Sequence, residues 1–386
     1  MRVCWIVDNK YRDLYNLYIL KKNLLQSNIN LIIINKFNCL EALKFFNHKF
    51  VVIPQISGLG IKITEYATKM NIKVILVNTE GFVTKKKYSN FYPEISKVSK
   101  LTKIFCSTFS EKKFLLSHKY KSKVILSGSL RYYKKNIKKI SKKKILTVGI
   151  ISTNKYLSSR FSKDIIKEFF HRKNEGRVQF KNFVKYELAF LDFLEKLKNH
   201  NKKIKFVLRA HPFESKDSYK HLNFYIDNSK TSEEFLDDVD VVINDYSTLS
   251  IESILNKVPV LNVRKLIDSE LVHLRDYFPA NIGYKVKSMK HLEKILSNKS
   301  INLRKLLSEK KHLEIIKKEI PLNLDTISII SNYFKKNYYK QQNNFSILNL
   351  LNLIIREIKT LIKIKSNTVY RFYNPKDNTL LKKFSE

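Results

Sequence analysis

The segment Val207–Ser215, VLRAHPFES, and the longer Val239–Val263, VDVVINDYSTLSIESILNKVPVLNV, decide how this chain is read. Each opens on an apolar strand that runs straight into a polar turn. The first turn carries Arg209, His211 and Glu214. The second carries Asn244, Asp245, Ser247 and Thr248, then opens a helix holding Glu252, with Pro259 ahead of another strand. Polar groups at the carboxyl ends of strands, facing a helix N-terminus, are how open α/β sheets hold phosphate-bearing ligands. Ser and Thr at a helix start leave backbone N–H groups for an oxyanion, while Arg209 and His211 add donors and charge. The competing reading of the same residues is structural, with Ser247 as an ordinary N-cap and Arg209 in an ion pair with a Glu. Two such turns in one sheet favour a ligand site. They are expected to leave adjacent strand ends, so that Arg209, His211, Ser247, Thr248 and Glu252 surround one nucleotide-donor pocket.

Outward from there, the first third of the chain alternates short β-rich runs with helical stretches. The strands read as Val3–Val7, Ile29–Ile34, Phe50–Ile53, Val74–Val77, Lys103–Cys106 and Val124–Ser127, with helical periodicity over Leu14–Leu25 and Ile61–Met70. That alternation predicts a parallel sheet with helices on both faces. A basic run, Tyr132–Lys144, reads as a linker. A second α/β unit starts at KILTVGII (144–151), continues through Phe206–Leu208, Val239–Ile243 and Val258–Val263, and ends in helices around His291–Leu296 and Leu303–Lys318. The expected fold class is therefore α/β and GT-B-like, two Rossmann-like doubly wound domains facing a cleft, with a C-terminal helical tail. The expected boundaries are 1–134 for an acceptor-side domain, 144–335 for a nucleotide-donor domain and 336–386 for the tail.

Composition narrows the classes further. The chain has 386 residues, 44% of them apolar, which is ample for two cores. Its formal charge of +40 is spread along the whole length, without an Arg-rich tract or a nucleic-acid module, so no nucleic-acid partner is expected. Attraction to anionic lipid, sugar nucleotides or acidic glycans remains the electrostatic role. Cys4, Cys39 and Cys106 form no CxxC and have no His at metal-ligand spacing. The start, MRVCWIVDN, reads as a strand and not a signal peptide, and no run of about 18 apolar residues exists. A cytoplasmic protein is expected, peripheral on the inner face of the cytoplasmic membrane. With only seven glycines, those just past strands (Gly58, Gly60, Gly81, Gly128 and Gly149) gain weight as turns or close approaches. No GxGxxG and no Walker loop occurs, which argues against dinucleotide enzymes and P-loop NTPases. There is no compact DxD, and Asp237–Asp240 leads into a strand. No metal is expected, and no cofactor beyond a nucleotide sugar as co-substrate.

The arrangement resembles bacterial surface carbohydrate biosynthesis proteins, and more distantly capsule-type Kdo transferases and CDP-glycerol glycerophosphotransferases. The resemblance covers roughly Val3–Val263 and rests on six segments in order. DNKYRDLYNLYIL (8–20) is similar to that family's acidic strand end and following helix, placing Asp8, Arg12 and Asp13. VNTEGFV (77–83) resembles its acidic E-G turn, placing Glu80 and Gly81. VILSGSLRYY (124–133) resembles its G-N-P-R-x-D turn, placing Gly128 and Arg131. ILTVGIISTN (145–154) resembles the first strand of its C-terminal half, RAHPFE (209–214) its R-P-H-P-x-E signature, and DYSTLSIESILNKVP (245–259) its S-T-x-x-x-E-A helix. Tyr133 stands where that turn has Asp, Leu130 where it has Pro, and Asn78 where an acidic residue is frequent, so a mechanism using the turn's carboxylate does not carry over.

The resemblance implies a glycosyltransferase of surface polysaccharide biosynthesis that uses a nucleotide donor, with a CMP-linked acidic sugar as one candidate. It also implies a glycan or lipid-linked acceptor. Such a reaction needs donors that stabilise charge on the leaving phosphate and a carboxylate at the reacting centre. Glu80, on a glycine turn at a strand end, is the expected catalytic residue. Asp8, Arg12, Asp13, Gly81, Gly128 and Arg131 are the expected substrate-binding set. The alternatives are a CDP-glycerol or polyol-phosphate transferase, a UDP-sugar 2-epimerase and a non-catalytic glycan-binding relative. Beyond Asn337, FSILNLLNLIIREIKTLIKIK (345–365) reads as an amphipathic basic helix. It is expected either to lie on an anionic membrane surface or to pack back across the other domain.

Overall fold

The computed structural model describes residues 1–7, 10–45, 48–56, 58–79, 100–118, 123–132, 145–153, 174–198, 204–211, 214–229, 231–267, 277–297 and 309–342. Within these, residues 10–12, 37, 45, 174–180, 309–310 and 340–342 are described by their backbone alone. The chain divides into two compact units. The first takes Met1–Gly81, Lys86–Lys134 and Lys318–Glu386; the second takes Phe82–Lys85 and Lys135–Lys317.

In the first unit, strands β1 (Arg2–Val7), β2 (Asn30–Asn35), β3 (Phe50–Ile53), β4 (Lys73–Val77), β5 (Lys103–Cys106) and β6 (Val124–Leu126) form one sheet in the order β2-β1-β3-β4-β5-β6. Every neighbouring pair is parallel. Cys4 to Ile6 and Phe50 to Ile53 are buried without alternation, as expected of strands covered on both faces. Helix α1 (Lys10–Leu25) buries Leu14, Leu17, Leu20 and Leu24, a stripe at steps of three and four, against β1 and its neighbours. Helices α2 (Cys39–Phe45), α3 (Leu59–Lys69) and α4 (Phe109–Ser117) complete the connections that precede β3, β4 and β6.

The second unit repeats the plan. Strands β7 (Leu146–Ile151), β8 (Ile204–Arg209), β9 (Tyr225–Ile226), β10 (Val241–Asn244), β11 (Val260–Asn262) and β12 (Tyr284–Lys285) lie in the order β12-β11-β10-β7-β8-β9, again all parallel. Successive residues serve opposite faces. Val148, Ile150, Leu208 and Ile243 pack with Tyr186, Phe190, Phe193, Leu194 and Leu197 of helix α5 (Asn174–Lys198). Ile151 and Val242 pack on the other face with Phe235, Leu236 and Leu249 of α6 (Ser232–Asp238) and α7 (Leu249–Leu255). Helix α8 (Met289–Ser297) adds Leu292, Ile295 and Leu296 to the α5 side, and α9 (Glu309–Glu319) follows. The doubly wound α/β class expected from the alternation is what both units have. The expected strands are present with ends moved by a residue or two, while β9 and β12, two residues each, are too short to show a period.

Two expectations change. The turns after β8 and β10 do not leave adjacent strands, because β7 lies between them. Periodicity marks where strands are and carries no signal for their order. The expected boundary at 335 also differs from the observed division. Helix α10 (Thr326–Gln342) belongs with the first unit, where Ile327, Ile330 and Phe334 join Trp5, Phe50 and Phe105 in one core. Phe334 meets Phe50 edge-on at 5.5 Å between ring centroids, and Tyr333 meets Phe105 at the same distance. The chain has thus returned to the first unit by Thr326. The helix expected over 345–365, and the expected linker Tyr132–Lys144 beyond Tyr132 itself, lie outside the described residues. Among the described residues no helix is long and apolar enough to cross a membrane.

The docking of α10 also explains Gly128. Its φ is +76°, and a Cβ there would sit 2.9 Å from Thr326 Oγ1, which donates to the Ser127 carbonyl at 2.8 Å. Gly128→Ala is expected to cost about 1–2 kcal/mol, from backbone strain and the displaced threonine. A urea melt in which this variant matches wild type would contradict the assignment.

Candidate functional site

In the second unit the chain winds outward from β7 through β8 to β9, then crosses back to β10 on the other side of β7. The reversal makes the carboxyl ends of β7 and β10 a topological switch point, where open α/β sheets leave a crevice. Ile151 pairs with Arg209 and Ile150 with Ile243, so Arg209, Ile151 and Asn244 stand in one row across the carboxyl edge.

On the α6/α7 face of that row, Arg209 is bound within the protein. Its guanidinium pairs with the Asp227 carboxylate, donates to Ser229 Oγ at 2.8 Å and lies 5.4 Å over the Phe235 ring. Arg209 therefore holds the loop that follows β9. The same loop runs into α6, where Thr231 Oγ1 caps the helix by accepting from the Glu234 N–H at 3.2 Å. Ser232 Oγ then donates to Glu252 Oε2 at 2.6 Å. Arg209 thus has its partners at Asp227 and Ser229, and Glu252 has one at Ser232, the first residue of α6. Ser247 accepts the Leu249 N–H on its Oγ at 3.3 Å, and its own N–H donates to Asn244 Oδ1 at 3.0 Å. The capping reading of Ser247 is thus part of the picture. Thr248, the residue just before α7, is in helical conformation without a side-chain capping bond, and half-buried His211 follows β8, its carbonyl accepting the Glu214 N–H at 2.8 Å.

On the α5 face two buried carboxyl groups organise the edge. Asp245 Oδ2 accepts from Thr153 Oγ1 at 2.6 Å and from Tyr186 OH at 2.9 Å, while Oδ1 accepts the Tyr246 N–H at 2.5 Å. Tyr246 donates to the Thr153 carbonyl at 3.3 Å and meets Tyr186 edge-on. Burial pushes the Asp245 carboxyl above its ordinary range despite these donors, and pushes Tyr186 up too, with the Arg264 guanidinium opposing the latter shift. One strand over, Glu214 accepts from Ser152 Oγ at 3.0 Å and Tyr219 OH at 2.8 Å, and those two hydroxyls are themselves 2.9 Å apart. Burial raises the Glu214 carboxyl from 4.5 to about 8, opposed by the bonds from Tyr219, Ser152 and the backbone and reinforced by Glu187.

A raised pKa means the folded state favours the proton. The contribution of Glu214 to stability is then full below about pH 4.5 and is lost as pH rises through about 8. Glu214→Gln keeps the shape and removes the charge. It is expected to flatten stability between those limits and to be more stable than wild type at pH 8.5, by on the order of 2 kcal/mol. Parallel pH profiles for the two chains would contradict this.

In the first unit, Asp13 of α1 and Arg131 beyond β6 line one crevice with Asn16, Asn78, Thr79 and Ser129. Asn78 follows β4 and donates to Glu111 Oε1 at 2.9 Å. Glu111, fully buried, also accepts the Ser107 N–H and hydroxyl at 2.8 and 3.0 Å, and its own N–H donates to Thr108 Oγ1. This is a capping-box relative at the start of α4. Asp8, Glu80 and Gly81 lie outside the described residues. Arg12 is in the first turn of α1, its side chain not described.

The expected residues thus form groups in different units: Arg209, His211, Ser247, Thr248 and Glu252 along one sheet edge, and Asp13 with Arg131 in one crevice. Gly128 has a packing role close by. Ser152, Thr153, Tyr186, Tyr219 and Arg264 were not in the expected set. Ser152 and Thr153 had a signal, being the polar end of the strand ILTVGII; Tyr186 had none, lying on the apolar stripe of a long helix.

No protein-family model matches the chain, and no curated protein matches it in sequence. Solved structures do match. The chain is similar to a structure of the wall teichoic acid polymerase TagF at 12% identity and a TM-score of 0.52, over 89% of each chain. A second structure of that polymerase, soaked with CDPG, gives 14% identity and 0.50 over the same shares. The UDP-GlcNAc 2-epimerase of Methanocaldococcus jannaschii gives 13% identity and 0.46, over 82% of this chain and 99% of that one. At these identities the likeness is one of fold. The chain has a two-domain, GT-B-like α/β fold.

Proposed function

We propose that this chain is a nucleotide-sugar-dependent glycosyltransferase of surface polysaccharide biosynthesis, of the capsule or lipopolysaccharide O-antigen kind. Its donor is a nucleotide sugar, with a CMP-linked acidic sugar as the first candidate, and its acceptor a glycan or a lipid-linked glycan. The observation that carries the reading is the switch point of the second unit. There the sheet's carboxyl edge gathers Ser152, Thr153, Asp245, Tyr246, Ser247 and Thr248 between β7 and β10, the position at which doubly wound sheets receive nucleotides.

In this reading Thr248 and His211 meet the donor phosphates, where charge develops as the nucleotide leaves, while the N–H groups of Tyr246, Ser247 and Leu249 are already bound within the turn and shape it. Arg209 and Glu252 act one step back, Arg209 by holding Asp227 and Ser229, Glu252 by holding Ser232 at the start of α6. Asp245 ties Thr153 to Tyr186 and so keeps the two strand ends in register. Glu80 supplies the carboxylate at the reacting centre, while Asp13 and Arg131 serve the sugar side. The reading invokes no metal and no further cofactor.

A thermal-shift panel of CMP-, CDP-, UDP- and GDP-sugars with CDP-glycerol tests it, since a ligand that binds only the folded state raises its melting temperature. One nucleotide sugar is expected to stand out, followed by glycosidic product with a suitable acceptor. A shift and phosphodiester product from CDP-glycerol would move the chain to the polyol-phosphate transferases, whose DYST-type turn it shares. No shift across the panel ends the reading. The basic segment Phe345–Lys365 is proposed to dock the protein on an anionic membrane surface beside a lipid-linked acceptor. Full-length chain and a chain ending at Gln342 should then differ in flotation with anionic vesicles, and equal partitioning contradicts the docking.

A further inference from the structure

We propose that Asn16 is a specificity-determining residue of the first unit, and that its side-chain amide reads a single hydroxyl of a polyhydroxylated ligand. The choice of ligand class rests on the glycan reading above. Asn16 lies in the middle of α1, between Asp13 one turn before it and Leu17, Leu20 and Leu24 on the buried stripe. It is only 3% exposed. Its Oδ1 is enclosed and has no hydrogen-bond partner, and its amide makes no hydrogen bond with any described residue. An amide at an inward-facing helix position is costly when it is left unpaired. Leucine would fill such a position without that cost.

The surroundings indicate what the amide is kept for. Asn16 borders the crevice at the sheet's carboxyl edge whose other polar walls are Asp13, Asn78, Thr79, Ser129 and Arg131, above Trp5 and Leu17. Those other groups already have partners. Asn78 donates to Glu111, Ser129 accepts the Arg131 N–H at 3.2 Å, and Asp13, Thr79 and Arg131 each interact within the protein. Asn16 is left over. The centre of a water-sized group has about 10 Å³ in which to sit, room for one such group. An amide needs both a donor and an acceptor opposite it, and a hydroxyl is the smallest group that supplies both. A carboxylate would offer no donor and would face Asp13, while an ammonium would offer no acceptor.

The experiment uses the full chain, with methyl glycosides of glucose, galactose and mannose, glycerol and ribitol as probes, and monodeoxy analogues of whichever binds. For wild type, removal of a single hydroxyl is expected to weaken binding about tenfold or more, because it leaves the buried amide unpaired again. Asn16→Leu is expected to melt no lower than wild type, and to bind the parent sugar and that deoxy analogue equally. If Asn16→Leu does not fold, the amide is structural and the proposal is overturned. The deoxy series on wild type tests the same point without any substitution. Binding of no probe, equal binding of all deoxy analogues, or a resident water retained beside Asn16 in the sugar complex also overturns it. Nucleotide binding, measured in the same melts, reports on the second unit separately. Its absence, with sugar discrimination intact, defeats the transferase reading and leaves this one standing.

Discussion

Replacing Asp245 by alanine is expected to lower the unfolding free energy by about 3 kcal/mol and to abolish nucleotide binding. The carboxyl group is fully buried and receives three donors, from Thr153, Tyr186 and the Tyr246 N–H. Its removal leaves those donors in a space water does not reach, and each unpaired buried donor costs about 1–3 kcal/mol. On the proposed reading the loss is structural and functional together, because Thr153 and Tyr246 lie just past the ends of β7 and β10, the two strands that form the switch point. Asp245→Asn separates the contributions. Its amide oxygen can still accept one donor, so the stability loss should fall to about 1 kcal/mol. Because burial holds the Asp245 carboxyl above its ordinary range, its stabilising contribution is greatest in acid and declines as pH rises through the raised value. The Asn variant should lose that slope. Urea melts from acid to mild base, together with nucleotide-induced shifts of Tm, provide both readouts. An alanine variant within about 0.5 kcal/mol of wild type, the ordinary range for surface changes, would show that the network carries little.

The second large effect concerns Glu80. On the proposed reading Glu80→Gln lowers transfer by about 10²–10⁴-fold, the range spanned by a positioned general acid or base. Nucleotide binding in the same variant stays near wild type, because the carboxylate acts at the reacting centre and the nucleotide is held by the second unit. The two residues before it, Asn78 and Thr79, line one crevice with Asp13 and Arg131. Initial rates with the donor found in the thermal-shift panel decide the matter. Wild-type turnover removes Glu80 from the mechanism, and loss of nucleotide binding assigns it to the donor instead.

How much of this was legible in the sequence depends on the range of the interaction. The turn at Asn244–Thr248 announces itself because its chemistry is local. Asn244 accepts from Ser247, and Ser247 from Leu249, within five residues. The same holds for Thr108 and Glu111 at the start of α4. Arg209 was legible as important, and its role was not. Residue type offers a cation, and only the arrival of β9 beside β8 brings Asp227 to neutralise it, eighteen positions away. Tyr186 was hidden because its ring belongs to the apolar stripe of α5 and its hydroxyl meets Asp245, 59 positions further along the chain.

The sequence alone determined the class of this protein. Runs buried on both faces and alternating with helical periods admit little besides doubly wound parallel sheets, and polar groups at strand ends mark the edge where chemistry belongs. Tertiary structure decided the order β12-β11-β10-β7-β8-β9, and with it that β7 separates the two turns read as neighbours. It also decided that α10 closes the first core and not the second. It decided as well which polar groups are already paired and that, among the described residues, Asn16 Oδ1 has no partner. The physical reason is the same in each case. Periodicity and capping are set by residues a few positions apart, whereas strand order, helix docking and the pairing of buried charges depend on segments that meet only when the chain has folded.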